Sequence, residues 1–160
     1  MALFTSEYPF KVDRKGRISV PADYRTVLSQ ESYPGIVLIP ARGALALDGF
    51  GNGRLESLAE ALDDPEIYDD DEDLEQAKQL FAEARRLPFD GDGRIVLPPE
   101  IRDHAQIQDK AIYVGGGSTF RLWNTDAYAA YKAKLNENAT AKGQSIRLRL
   151  APKKKKRTEG

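Results

Sequence analysis

The 160-residue sequence contains no cysteine, a single methionine, a single tryptophan and one histidine, His104. Without cysteine there is no disulfide framework, no thiolate metal site and no Cys nucleophile. A lone histidine rules out clusters of imidazole ligands and leaves one candidate histidine base. No stretch approaches the ~20 consecutive apolar residues of a membrane-spanning helix. The first eleven residues lack the charged-then-apolar leader of an exported chain, so cytosolic residence is the expectation. Neither sign of charge dominates, with 24 Lys and Arg against 25 Asp and Glu. What remains is 41% apolar and 31% charged in 17.8 kDa, with a mean hydropathy of -0.54. These values fit a soluble chain folding as one ordinary domain or two very small ones.

The near-zero total hides a segregation of charge. Residues 63–75 hold nine acidic side chains and no basic one. Residues 147–160 hold Arg147, Arg149, Lys153, Lys154, Lys155, Lys156 and Arg157 against Glu159. A clustered cationic end attracts polyanions by releasing their condensed counterions, without sequence preference. The alternative is a solvated terminus that aids solubility. The acidic run reads as a solvated loop leading into a helix, with a DNA-mimicking shield as the sharper alternative.

Residues 13–25 (DRKGRISVPADYR) and 90–102 (DGDGRIVLPPEIR) align without a gap at an offset of 77, with six of thirteen positions identical. The identities are Asp13/Asp90, Gly16/Gly93, Arg17/Arg94, Ile18/Ile95, Pro21/Pro98 and Arg25/Arg102. The chain is a duplicated module.

Each copy opens with an alternating strand, Tyr8, Phe10 and Val12 in the first and Leu87 and Phe89 in the second. An Asp able to bond the following backbone and a Gly able to take positive φ then reverse the chain. Ile18 and Val20, or Ile95 and Leu97, form the returning strand, which ends at Pro21 or Pro98 in a short helix to about Leu28 or His104. Strands are expected at 35–40 and 44–47 in the first copy and at 110–114 and 119–123 in the second. Closing helices are expected at 55–62 and from 125 to about 135, the latter capped by Asn124 or Thr125. A connecting amphipathic helix is expected over 73–86, with acid at its start and Arg85 and Arg86 at its end. The resulting partition is a first module at 1–62, an acidic and helical connection at 63–86, a second module at 87–136 and a basic tail, expected to be disordered, at 137–160.

Candidate chemistry concentrates at the two reversals. In one reading Asp13 caps the turn and pairs with Arg17, and Asp90 does the same with Arg94, as a modest surface interaction. In the other, a two-stranded ribbon lifts Arg17, with Arg14 and Lys15 at its tip, into a DNA groove, where a bidentate Arg reads guanine O6 and N7. The first loop carries a local charge of +2 and the second, with Asp90 and Asp92, a local charge of -1. Arg25 and Arg102 either contact phosphates or close ion pairs onto Asp13 and Asp90. No enzyme constellation is found. The run Gly115, Gly116, Gly117, Ser118 lacks the ending of a phosphate loop and reads as a turn between strands. His104 reads as a helix-end residue.

These tandem segments, in a chain of this length, resemble the MraZ family of bacterial transcriptional regulators. The resemblance covers both repeats and most of residues 3–135, and leaves out the acidic run and the lysine tail. It implies an α+β fold of tandem AbrB/MraZ-type swapped-hairpin β-barrel modules with short helices, packed as a pseudo-dimer within one chain. It also implies a homo-oligomer joined in a ring. The implied DNA-binding residues are Asp13, Arg14, Lys15, Gly16 and Arg17 in one loop and Asp90 and Arg94 in the other. The implied partner is double-stranded promoter DNA with direct repeats, upstream of the division and cell-wall gene cluster that includes the protein's own gene. The expected outcome is repression by a nucleoid-associated protein without cofactor, metal or membrane contact. Asp92 departs from the pattern, since a basic residue such as Lys15 suits phosphates better.

Size is compatible with such a ring assembly, since pairing of each module with its copy and then with other chains would offset chain entropy. Each module of about 50 residues is too small to bury its strand faces alone. Several weak loops on one assembly gain avidity of about a hundredfold or more, for sites spaced about one helical turn apart. The competing class is an AbrB-like antitoxin or interaction module, which usually carries one hairpin module and a tail that wraps its partner.

Overall fold

The computed structural model describes residues 2–141; the basic residues Lys153, Lys154, Lys155, Lys156 and Arg157 lie outside them. The fold is mixed α+β. In chain order the elements are β1 (Glu7–Lys11), β2 (Arg17–Ser19), α1 (Ala22–Leu28), β3 (Gly35–Pro40), β4 (Ala46–Phe50) and α2 (Asn52–Leu62). After α3 (Asp71–Glu83) the same series returns as β5 (Arg85–Pro88), β6 (Arg94–Val96), α4 (Pro99–His104), β7 (Lys110–Gly115), β8 (Phe120–Trp123) and α5 (Thr125–Ala141). Both copies lie in one compact unit that runs to Tyr128, and the remainder of α5 belongs to a second.

The strands form a six-stranded sheet ordered β1-β7-β8-β4-β3-β5 and a two-stranded ribbon of β2 and β6, with every pairing antiparallel. Exchanging the two copies reverses the sheet order onto itself. β1 of the first copy pairs with β7 of the second, and β5 of the second pairs with β3 of the first. The fourth strands, β4 and β8, meet at the centre. Four of the six pairings among the described residues therefore join one copy to the other. The core follows the same pattern: Ile18, Val20, Tyr24 and Leu38 of the first copy cluster with Ile95, Leu97, Ile101 and Tyr113 of the second. Burying Ile18 and Ile95, each 1% exposed, is worth roughly 1.5–3 kcal/mol apiece. These side chains are buried in one cluster drawn from both copies.

The connecting helix corrects the sequence expectation. It runs Asp71–Glu83 and not to residue 86, because Arg85 and Arg86 pair with Leu38 and Val37 as an edge strand. Asp70 caps its start, its side chain accepting from the Glu72 N–H at 2.9 Å. Arg85 still serves the helix end from outside it, since its Nη1 donates to the carbonyls of Ala82, Glu83 and Ala84 at 3.1 Å. α2 begins three residues earlier than expected, with the Glu31 carboxylate accepting from the Gly53 N–H at 3.0 Å. Asn124 caps α5 as expected, accepting from the Ala127 N–H at 3.0 Å. That helix runs on to Ala141, past its expected end near residue 135.

Candidate nucleic-acid interface

Both reversals are built alike. In the first, Asp13 Oδ1 accepts from the N–H groups of Lys15 and Arg17, each at 2.9 Å, and Oδ2 accepts from Arg17 Nε at 2.6 Å. Gly16, at φ 80°, closes the turn by donating to the Asp13 carbonyl at 3.0 Å. In the second, Asp90 accepts from the N–H groups of Asp92 and Arg94 at 2.9 Å and from Arg94 Nε at 3.0 Å, with Gly93 at φ 73°. The hydrogen bond from the Arg17 N–H is the largest influence holding the Asp13 carboxyl below its ordinary value. Partial desolvation opposes it, and the Arg17 side chain and Lys15 N–H reinforce it. The Arg94 N–H acts on Asp90 in the same way. The sequence reading in which Asp caps the turn and holds the Arg is therefore what the geometry shows for both loops. It leaves the DNA reading open, because an anchored Arg is also a preorganised one.

The ribbon decides where these arginines point. In its register Ile18 stands across from Ile95, Arg17 across from Val96, and Ser19 across from Arg94. Side chains alternate, so with both isoleucines buried, Arg17, Ser19, Arg94 and Val96 share the opposite face. Arg17 and Arg94 are diagonal neighbours, roughly 7–8 Å apart at Cα. Their side chains are 31% and 30% exposed. Beyond them the exposed Arg14 and Lys15 extend the first loop, and Gly91 and Asp92 the second. Asp92 also draws on Arg94, whose Nη2 donates to it at 3.2 Å. Of the Arg17 guanidinium, only Nε is engaged among the described residues.

Arg25 and Arg102 form no ion pair with Asp13 or Asp90 among the described residues. Arg25 Nε donates to the Val20 carbonyl at 3.2 Å, and its guanidinium lies over Gly93, where an added Cβ would sit 2.7 Å from Cζ. Arg102 donates to the carbonyls of Ile107 and Gln108, and its Nη1 lies beside Gly16. Each arginine thus braces the loop of the other copy. The crossing is reinforced by Val20 N–H donating to Gly93 at 3.0 Å and Leu97 N–H donating to Gly16 at 2.9 Å. A cleft of about 450 Å³ opens beside the first loop, between Arg14, Lys15 and Arg102.

The residues considered for enzyme chemistry take structural places. Phe4 clamps the glycine run as a turn, donating to Gly117 at 2.7 Å and accepting from it at 3.1 Å. His104 Nε2 lies 2.8 Å from the Ala41 carbonyl, joining α4 to the other copy. No group of three or more potential metal ligands is found among the described residues. No helix among them is long and apolar enough to cross a membrane. Nothing in the sequence singles out the face residues Ser19 and Val96, because only the register between copies puts them beside the arginines.

The chain is thus of the duplicated α+β class, its two copies pairing strand against strand and holding two Asp-anchored arginines on one ribbon face. A family model described as "MraZ protein, putative antitoxin-like" matches residues 80–150. The chain is 37% identical over 146 residues to "Transcriptional regulator MraZ" of Rhodospirillum rubrum, covering 89% of this chain and 93% of that one. It is 33% identical over 148 residues to the protein of that name from Rickettsia bellii, covering 92% and 98%, and 37% identical over 123 residues to that of Rickettsia akari, covering 77% and 82%. The chain belongs to the MraZ family.

Proposed function

We propose that this protein is a sequence-specific DNA-binding regulator of transcription without catalytic activity. It represses from repeated promoter boxes ahead of the division and cell-wall gene cluster that includes its own gene. The observation that carries the reading is the outward face of the β2–β6 ribbon, where Arg17 and Arg94 from different copies stand diagonally. A two-stranded ribbon fits the ~12 Å major groove. Asp13 fixes Arg17 through Nε and leaves Nη1 and Nη2 to approach a guanine edge. Arg14 and Lys15 flank it as phosphate contacts, while Asp90 and Arg94 make the weaker second element. The names of the relatives support regulation of transcription.

The strand exchange supports a swapped-hairpin pseudo-dimer, and the small number of cations per loop supports its assembly into a homo-oligomeric ring that binds direct repeats. Arg25 and Arg102 serve as loop braces, and the tail at 153–157 as a non-specific polyanion contact. The words "antitoxin-like" in the family description favour a second reading, a protein-interaction module, in which a partner protein and not DNA would be retained.

A gel-shift with DNA from just upstream of the protein's own gene, beside scrambled DNA, separates the two. Preference for the former is expected, and Arg17→Ala should remove it at a cost of about 1–3 kcal/mol per read base while the assembled particle keeps its mass. Equal retention of both DNAs would defeat the reading. Dissociation of the Arg17→Ala particle would make Arg17 a structural residue.

A further inference from the structure

The two halves of the ribbon face are not chemically alike. Across from Arg17 stands Val96, and across from Arg94 stands Ser19, although Ser19 and Val96 occupy the same position in the two copies. Val96 is 53% exposed, one of few large apolar side chains in the described residues that face solvent. Its Cγ1 lies beside the Gly16 turn, 3.9 Å from where a Cβ would stand. The apolar group is therefore framed by the more cationic loop, with Arg14 and Lys15 beyond it, whereas the hydroxyl of Ser19 accompanies Asp92 and the doubly held Arg94.

Building on the proposed DNA reading, we infer that Val96 determines specificity by packing its methyl groups against the C5-methyl of a thymine adjacent to the base read by Arg17. In the major groove, thymine is set apart from the other bases by this methyl, and small apolar side chains are what recognise it. A side chain without a methyl at the same position, whether charged or the bare hydroxyl of serine, would leave the thymine methyl solvated. Ser19 presents no such group, so the second half of the face favours thymine no more than any other base. The chain consequently reads its two half-faces as different sequences, giving the bound protein a direction along the duplex.

The test uses DNA from immediately upstream of the protein's own gene, with thymines replaced one at a time by deoxyuridine, which removes only the methyl. Wild-type protein should lose about fourfold in affinity at one thymine next to the essential guanine, the worth of one buried methyl-sized group. Val96→Ser should bind the thymine DNA about as weakly as wild type binds the uracil DNA, and should not respond to the replacement. Val96→Thr, which keeps one methyl, should retain part of the response. Specific retention without sensitivity at any thymine overturns the inference while sparing the DNA reading, and so does a Val96→Ser variant that keeps the wild-type preference. Failure of wild type to prefer its own upstream DNA at all overturns the DNA reading itself. The uracil scan on wild type needs no variant to fold.

Discussion

Asp92→Lys is the substitution that most directly asks whether the second loop meets DNA. The Asp92 side chain is 79% exposed and touches Arg94 through Nη2 at 3.2 Å, so its removal leaves the turn, which rests on Asp90, intact. The loop charge changes from -1 to +1, close to that of the first loop. Each additional phosphate neutralised steepens the dependence of log affinity on log salt by about 0.9. The introduced ammonium alone should add about 0.9 to the slope, and about 1.8 if the freed Arg94 guanidinium also finds a phosphate. A fourfold rise in salt then weakens the variant by an extra factor of about 3.5 per contact. Gel-shifts or fluorescence anisotropy over a salt series from about 50 to 200 mM, on specific and scrambled DNA, measure this directly. Slopes identical to wild type on both DNAs would show that the second loop points away from the duplex, and would restrict the interface to the first loop.

The remaining expectations concern stability and pH. Tyr113 Oη is buried without a hydrogen-bond partner among the described residues, so Tyr113→Phe should stabilise by about 1–3 kcal/mol in urea denaturation; destabilisation would reveal a partner for the hydroxyl. Burial also raises the Tyr113 phenol above its ordinary 10.0, so the Tyr113 contribution to stability should be fully present below pH 10 and fall above it, and Tyr113→Phe should lessen that fall. Gly16→Ala meets only ordinary contacts, 3.4 Å from the Leu97 carbonyl, and its cost of about 1–2 kcal/mol should come from φ 80° alone; a neutral result in thermal unfolding would refute this. Asp13 and Asp90 have lowered carboxyl values, so their contribution is present above pH 3.8 and lost as pH falls through the lower folded value. Amide resonances of Arg17 and Arg94 should therefore hold their positions down to about pH 4 and shift below it.

Much of the fold is legible in the sequence because it is written twice. The Asp-x-x-Gly-Arg reversals, the proline-started helices and the second strand pair of each copy all appear near their expected places, since local turn and capping chemistry determines them. The end of the connecting helix is misleading in sequence because Arg85 and Arg86 suit a helix terminus by charge. Pairing with Val37 and Leu38 claims them for a strand, and that contact joins segments far apart in the chain. The exchange of strands leaves no local signal, as β1 would satisfy its pattern of buried and exposed residues against either copy. The same blindness conceals the bracing of each loop by the other copy's arginine, and the neighbourhood of Val96. Asp13 and Arg17 are legible as a pair, but whether the pair is a fastening or a reading head depends on what shares their face.

The interdigitation of the repeats bears on how such a chain can change over time. A pair of separate identical subunits must accept every substitution twice, once on each side of the axis. Here covalent fusion lets one half lose a cation and acquire a methyl-bearing surface while the other keeps its charge, yet the shared interior obliges the two halves to remain mutually complementary inside. Variation is thereby channelled outward to the tips, where Lys15 has become unlike Asp92 and Ser19 unlike Val96, over a common scaffold that neither half can abandon.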